Sequence, residues 1–439
     1  MSSEWISIIA LFGTFGVLLV VGMPITFAIG LASLVTIGLA IGVDQAVFVI
    51  AQKMAGGLDT FSLLAIPFFI LAGNIMNRGG LALRLVNFAK IIVGWIPGAL
   101  AHCNVLANML FGALSGSAVA AGAAVGGMMA PLQEKEGYDP AYSASVNICS
   151  CPTGLLIPPS NAFIVYSLIS GGTSIAALFV AGYIPGILMG LGVMVVAYVM
   201  AKKEGYKVIG FPGLKEALLT TWAALPSLGL IIIIMGGIIL GVCTATEAAS
   251  LAVVYTLVLT LVIYREMKVS DLPRVLLESA VTTAIVLILI GVSSAMAWAM
   301  TNADIPYTVS DTLLGLSENK FVLLLFINIL LLVVGTFMDM TPALLVFTPI
   351  FLPVTQQLGV DPVHFGVMIV FNLCIGICTP PVGSALFVGC SVAGVSIDRV
   401  LGRIFPFFAV MILTLMMVTF IPDLSLALPK LALGYVPVN

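Results

Sequence analysis

Apolar blocks long enough to cross a bilayer recur along the whole chain, separated by short polar seams. The pattern predicts helical spans near 5–22, 24–42, 58–77, 140–163 and 175–200, and again near 222–242, 245–264, 280–300, 363–388 and 402–421. Linkers fall at 78–96, with Arg78, Arg84 and Lys90, and at 265–274, with Arg265, Lys268 and Arg274. The polar stretch from Ala201 to Glu216 divides the chain into 1–200, a linker at 201–220, and 221–439. Two further blocks, 98–131 and 321–354, are each about 33 residues long and carry glycine or polar residues near their middles. That length suits two short half-helices and a tip; the alternative is one tilted span plus a loop.

The two halves match at a fixed offset of 222 residues. Pro131 pairs with Pro353, Gly137-Tyr138-Asp139-Pro140 with Gly359-Val360-Asp361-Pro362, Pro158-Pro159 with Pro380-Pro381, and Ser117 with Asp339. Gly22 to Ala28 resembles Gly241 to Ala248 more loosely, with a one-residue slip. Basic residues orient the halves. Lys202, Lys203, Lys207 and Lys215 mark the central linker as cytoplasmic, and the two shorter linkers, Arg399 and Arg403 fall on the same side. The base-poor segments 301–318 and 422–439 fall outside, and both termini are expected in the periplasm. This count holds if 98–131 and 321–354 enter and leave by one face. Each half then has five full spans, an odd number, so the duplication is expected to be inverted, with one hairpin opening from each side.

Composition sets the solvent. Apolar residues are 61% of the chain, charged residues 8%, and mean hydropathy is +1.23, which no soluble domain could cover. The expected fold class is therefore an all-α polytopic membrane protein. No dominant strand alternation suggests a barrel, no basic patch suggests nucleic acid, and no cleavable secretory signal is evident. The seven cysteines mostly lie in apolar segments. Cys149-Ser150-Cys151 with only His102 and His364 makes no metal-ligand set, so the cysteines read as structural.

Candidate chemistry lies where polar or helix-breaking residues interrupt apolar blocks. Gly112 to Ala120 would form the tip of the first hairpin, with Ser115 and Ser117 supplying hydroxyl oxygens; tight packing of small residues is the plainer alternative. Gly335 to Pro342 is the counterpart. A bare carboxylate at Asp339 in hydrocarbon needs a cation, a proton or dense hydrogen bonding, Thr341 adds an oxygen, and Pro342 could start the second half-helix. Pro158-Pro159 and Pro380-Pro381 should break their spans and free carbonyls, either as simple kinks or to line an ion, with Thr153 and Thr379 as oxygen donors. Ser160 and Asn161 suit a substrate, since both donate hydrogen bonds. The oxygen-rich set suits a hard ion such as Na⁺, without excluding H⁺ coupling. Glu247, an isolated acid in its apolar neighbourhood, is either a polar contact at a span end or a functional acid. An intramembrane enzyme would need a nucleophile beside a base, and neither histidine has an evident partner.

The runs GALSGSAVAAGAAVGGMMAP (112–131), LLIPPSNAFIVY (155–166), GVCTATEAA (241–249), GTFMDMTPALLVFTPIFLPV (335–354) and CTPPVGSALF (378–387) resemble the large membrane subunit of TRAP transporters, the DctM type, over nearly the whole chain. Ala245 stands where a proline is common. The resemblance implies an elevator transporter of the ion transporter superfamily in the inner membrane. It implies a Na⁺ gradient as driving force and an organic acid, a carboxylate or sugar acid, delivered by a periplasmic substrate-binding protein. It also implies a small four-helix membrane subunit, expected here as a separate chain. Cation-binding regions carry over to Ser115, Gly116 and Ser117 with Thr153 and Gly154, and to Asp339 and Thr341 with Thr379. Substrate contacts are expected at Ser160, Asn161 and Ser384, and no cofactor beyond the coupling ion is implied.

Overall fold

The computed structural model describes residues 3–210, 213–317 and 319–437. The chain ends at Met1 and Asn439, Phe211 and Pro212 of the central linker, and Glu318 lie outside the described residues. Among the described residues every regular element is helical. Among the described residues seven helices are long and apolar enough to cross a membrane, or eight if the pair Pro140–Leu156 and Asn161–Ile169, bent by 51°, is one span. The chain is a polytopic helical membrane protein.

The count is lower than the predicted set of spans because several are short or broken. Trp5–Val20 and Ile25–Ile41 are apolar but short. The stretch read as 363–388 divides into Pro362–Gly376 and Ser384–Ala393, and 140–163 divides into Pro140–Ser150, Thr153–Leu156 and Asn161–Ile169. Both Pro-Pro bonds lie in these breaks and both are cis. Other elements are longer than expected. Ile175–Glu204 and Leu214–Ile239 take up most of the central linker, and Leu272–Asn302 extends the span read at 280–300. Val43–Leu58, Ile305–Leu316 and Asp423–Leu433 are helices that the span pattern did not mark.

Both glycine-rich blocks are helix–break–helix elements. Ala99–Ser115 and Ala118–Lys135 meet at Gly116-Ser117, and Lys320–Phe337 and Met340–Gln357 meet at Met338-Asp339. Helix starts recur at the offset seen in the sequence: Ala118 and Met340, Pro140 and Pro362, Ile175 and Ile397. The repeated Gly-x-Asp-Pro has a local cause. Gly137 and Gly359 take positive φ of 78° and 67° to end one helix. The next begins at proline, with Asp139 capping Ala141 N at 3.1 Å and Asp361 capping Val363 N at 2.8 Å.

Buried amides tie each helix–break–helix element to its broken span. Asn108 Nδ2 donates to Asn147 Oδ1 at 3.0 Å and Ser150 Oγ at 2.7 Å, while Asn372 Nδ2 donates to Asn328 Oδ1 at 2.9 Å. Leu81–Val93 is amphipathic and buries Leu81, Leu85, Val86, Ala89 and Val93. Its Arg84 stacks 3.6 Å above the Tyr264 ring and pairs with Glu266 at 2.7 Å, and Arg78 pairs with Glu278 at 2.7 Å. These contacts join the two linkers that the charge pattern placed on one side. Arg403 likewise bridges Asp139 at 3.2 Å and Glu204 at 2.5 Å. Glu247 resolves as a helix cap: it accepts from Thr244 N at 2.7 Å, and Thr244 Oγ1 accepts from Glu247 N at 3.3 Å.

Candidate functional site

Where Ala99–Ser115 ends, only a left-handed residue lets the chain turn back, and Gly116 takes φ 61°. Ser117 then caps the second half-helix, accepting from Ala120 N at 3.2 Å. Asp339 occupies the same capping position before Met340–Gln357 but makes no capping bond; its Oδ1 accepts from Ser384 Oγ at 3.1 Å. Pro342 sits inside the first turn of that helix rather than opening it, because the helix begins at Met340.

The two tips face one cavity of about 340 Å³. Ser115, Gly116, Ser117, Asn161, Asp339 and Thr341 line it together. Asn161 opens the helix Asn161–Ile169, and its Oδ1 is buried without a hydrogen-bond partner. A buried acceptor without a donor costs free energy, and of the eight such side-chain atoms among the described residues this one belongs to a residue lining the cavity. The first turns of three helices, those beginning at Ala118, Asn161 and Met340, border the cavity through Ser117, Asn161 and Thr341. Amides at helix starts favour an anion, which matters because no lysine or arginine lines the cavity.

Asp339 departs from expectation. Its side chain is open to the cavity rather than buried among helices, and Ser384 is the hydrogen-bond donor it has there. Ser160 does not line the cavity. It is fully buried, and its hydroxyl donates to the Leu155 carbonyl, closing the break from within. Thr153 is also buried and donates to Ser150 O at 2.5 Å, and Thr379 donates to Ile375 O at 2.8 Å. These threonines stand beside the tips through backbone crossings. An added Cβ at Gly112 would lie 2.8 Å from Gly154 Cα, and one at Gly335 would lie 3.0 Å from Gly376 Cα. Each tip is thereby held against the broken span of its own half.

The far wall was not anticipated. Asn74 and Asn77 on Ala65–Arg78 and Thr282 on Leu272–Asn302 line the cavity, with Asn74 Nδ2 donating to Ser279 Oγ at 2.9 Å. The available signal was a pair of asparagines three apart near the end of an apolar helix. Gly73 permits this wall to approach, since a Cβ there would lie 2.8 Å from Ser115 O.

The DctM component of the tripartite ATP-independent periplasmic transporters matches residues 12–424. The chain belongs to this family. It is 59% identical over 424 residues to the uncharacterised protein YgiK of Salmonella typhimurium, covering 97% of each. It is 38% identical over 428 residues to the sialic acid TRAP transporter large permease protein SiaM of Vibrio cholerae, covering 97% of this chain and 99% of that one. The YdaH transporter of Alcanivorax borkumensis shares the fold at a TM-score of 0.62 and 12% identity, over 90% of each chain. Membership makes this DctM chain a large permease subunit that acts in transport rather than catalysis.

Proposed function

We propose that this DctM chain is the transport subunit of a Na⁺-coupled importer that moves an organic acid across the bacterial inner membrane. The cavity carries the reading: both tips and Asn161 face Asn74, Asn77 and Thr282 across one space. On this reading 1–200 and 221–439 are inverted halves. The hairpins at 98–131 and 321–354, with the broken spans, shift in height against the remaining helices as an elevator. Both termini lie in the periplasm. The expected partners are a separate small four-helix subunit and a periplasmic substrate-binding protein, in keeping with the tripartite family description.

Sodium would be held by oxygens of Ser115 to Ser117 near Thr153-Gly154, and of Asp339 and Thr341 near Thr379. The hydroxyls of Thr153 and Thr379 are committed to backbone carbonyls, so backbone oxygens at those breaks are the better donors. Substrate would meet Asn161 with a hydroxyl donating to its Oδ1 and a carboxylate accepting from its Nδ2, and Ser384 would act through Asp339 rather than on substrate. A relative named for sialic acid favours a carboxylate or sugar acid, which helix-start amides and hydroxyls would have to hold, since no lysine or arginine lines the cavity.

Uptake by the reconstituted complex is expected to require a sodium gradient and substrate-loaded binding protein. Equal uptake with sodium absent on both sides would sink the coupling. Asp339 can also carry a proton, and an imposed pH gradient in the same vesicles separates that second reading.

Asn161→Ala is expected to raise half-saturating substrate about fivefold, the loss of roughly one hydrogen bond, while sodium dependence stays unchanged. Titrating uptake against each solute in turn reads the split, and a shift in sodium affinity alone would reassign Asn161 to the ion.

A further inference from the structure

A second cavity, of about 350 Å³, lies away from the tips. Lys90, Lys135 and Lys207 line it, with Leu132, Val208 and Ile209. The three lysines come from different elements: Lys90 from the last turn of Leu81–Val93, Lys135 from the end of Ala118–Lys135, and Lys207 from the irregular stretch before Leu214. The described part of that stretch is tied down at Tyr206 and Ile209. Ile209 N donates to Gly94 O at 3.0 Å, and Tyr206 stacks on Tyr138 with ring centroids 4.0 Å apart.

None of the three ammonium groups makes an ion pair among the described residues. Glu136 is the one carboxylate lining the cavity, so positive charge is in excess. Burial pushes the Tyr138 phenol up to about 12, so at neutral pH it adds no negative charge. Lysines at helix ends are commonly explained by the helix dipole. That accounts for Lys90 and Lys135, but not for Lys207 in a non-helical segment, nor for the aliphatic wall beside them. Val208 and Ile209 are each 50% exposed, an apolar edge on a basic pocket.

We infer that this cavity binds an anionic phospholipid, the phosphate between Lys90, Lys135 and Lys207 and an acyl chain along Leu132, Val208 and Ile209. A basic pocket with an apolar rim on the face that the charge pattern assigns to the cytoplasm suits this ligand. A free phosphate shares the headgroup chemistry but would leave the aliphatic edge uncovered.

The full chain, purified with its membrane complex, is titrated with cardiolipin, phosphatidylglycerol, phosphatidylcholine and inorganic phosphate, following thermal unfolding and lipid retention by native mass spectrometry. Cardiolipin and phosphatidylglycerol are expected to raise the midpoint; phosphatidylcholine and phosphate are not. Each Lys→Gln change at 90, 135 and 207 should weaken binding about fivefold, and the triple Lys→Arg variant should retain it. If the triple Lys→Gln variant does not fold, Lys135→Gln alone is read in the same titration. Equal retention of phosphatidylcholine, unchanged affinity in the Lys→Gln variants, or a full shift from phosphate alone each overturns the assignment.

Discussion

Asp339→Asn is expected to raise the sodium concentration for half-maximal uptake by about 10- to 100-fold, the loss of one charge-assisted contact of about 1.5–3 kcal/mol. The substitution preserves side-chain size and can still accept from Ser384 Oγ, which lies 3.1 Å from Asp339 Oδ1, so the change isolates charge from shape. Ser384→Ala removes a neutral donor and should cost only a few-fold. Binding-protein docking should be unchanged in both, because Asp339 faces the central cavity. Sodium titration of uptake in proteoliposomes decides the matter. Unaltered sodium dependence in Asp339→Asn would remove the residue from the ion site. A loss of pH dependence in its place would make Asp339 the proton carrier.

Much of this arrangement is written into local chemistry. Gly116, Ser117 and Asp339 marked the breaks because glycine and capping residues act within a few positions of themselves. The Pro-Pro pairs marked the broken spans for the same reason. The offset between the halves was visible because helix starts and caps repeat with it. Three things were not legible. Asp339 looked enclosed because hydropathy averages over neighbours, whereas its exposure depends on a cavity built from distant helices. Asn74, Asn77 and Thr282 gave no clear sign of their common wall, since pairing of helices about 200 residues apart is a tertiary choice. Val43–Leu58, 16 residues with Asp44, Gln45, Gln52 and Lys53 among them, is too short and too polar to read as a span. Ser160 shows the converse error: its chemistry suited a ligand, but the nearest free carbonyl was Leu155 of its own broken helix.

Gly154→Ala is expected to destabilise the fold more than its single methyl suggests. The added Cβ would lie 2.2 Å from Gly112 Cα, 2.4 Å from its carbonyl carbon and 2.7 Å from Ala113 N. All three are backbone atoms, so no rotamer change can relieve the clash, and the first half-helix of hairpin one must move away from its broken span. Such overpacking costs about 1–3 kcal/mol or more. Close glycine crossings also supply the packing that holds helices together in lipid, where water no longer drives them into contact. Gly376→Ala, whose Cβ would lie 2.6 Å from Gly335 Cα, should behave alike in the other half but more mildly. Gly127→Ala is the control: it sits in Ala118–Lys135 with nothing within 4 Å of an added Cβ, and alanine there should be neutral or stabilise by up to about 1 kcal/mol. Thermal unfolding in detergent should rank Gly127→Ala at or above the parent, Gly376→Ala below it and Gly154→Ala lowest. A Gly154→Ala protein that unfolded at the parental midpoint would show that the tip and its broken span can separate freely. The crossing could not then be what fixes Ser115 to Ser117 beside Thr153.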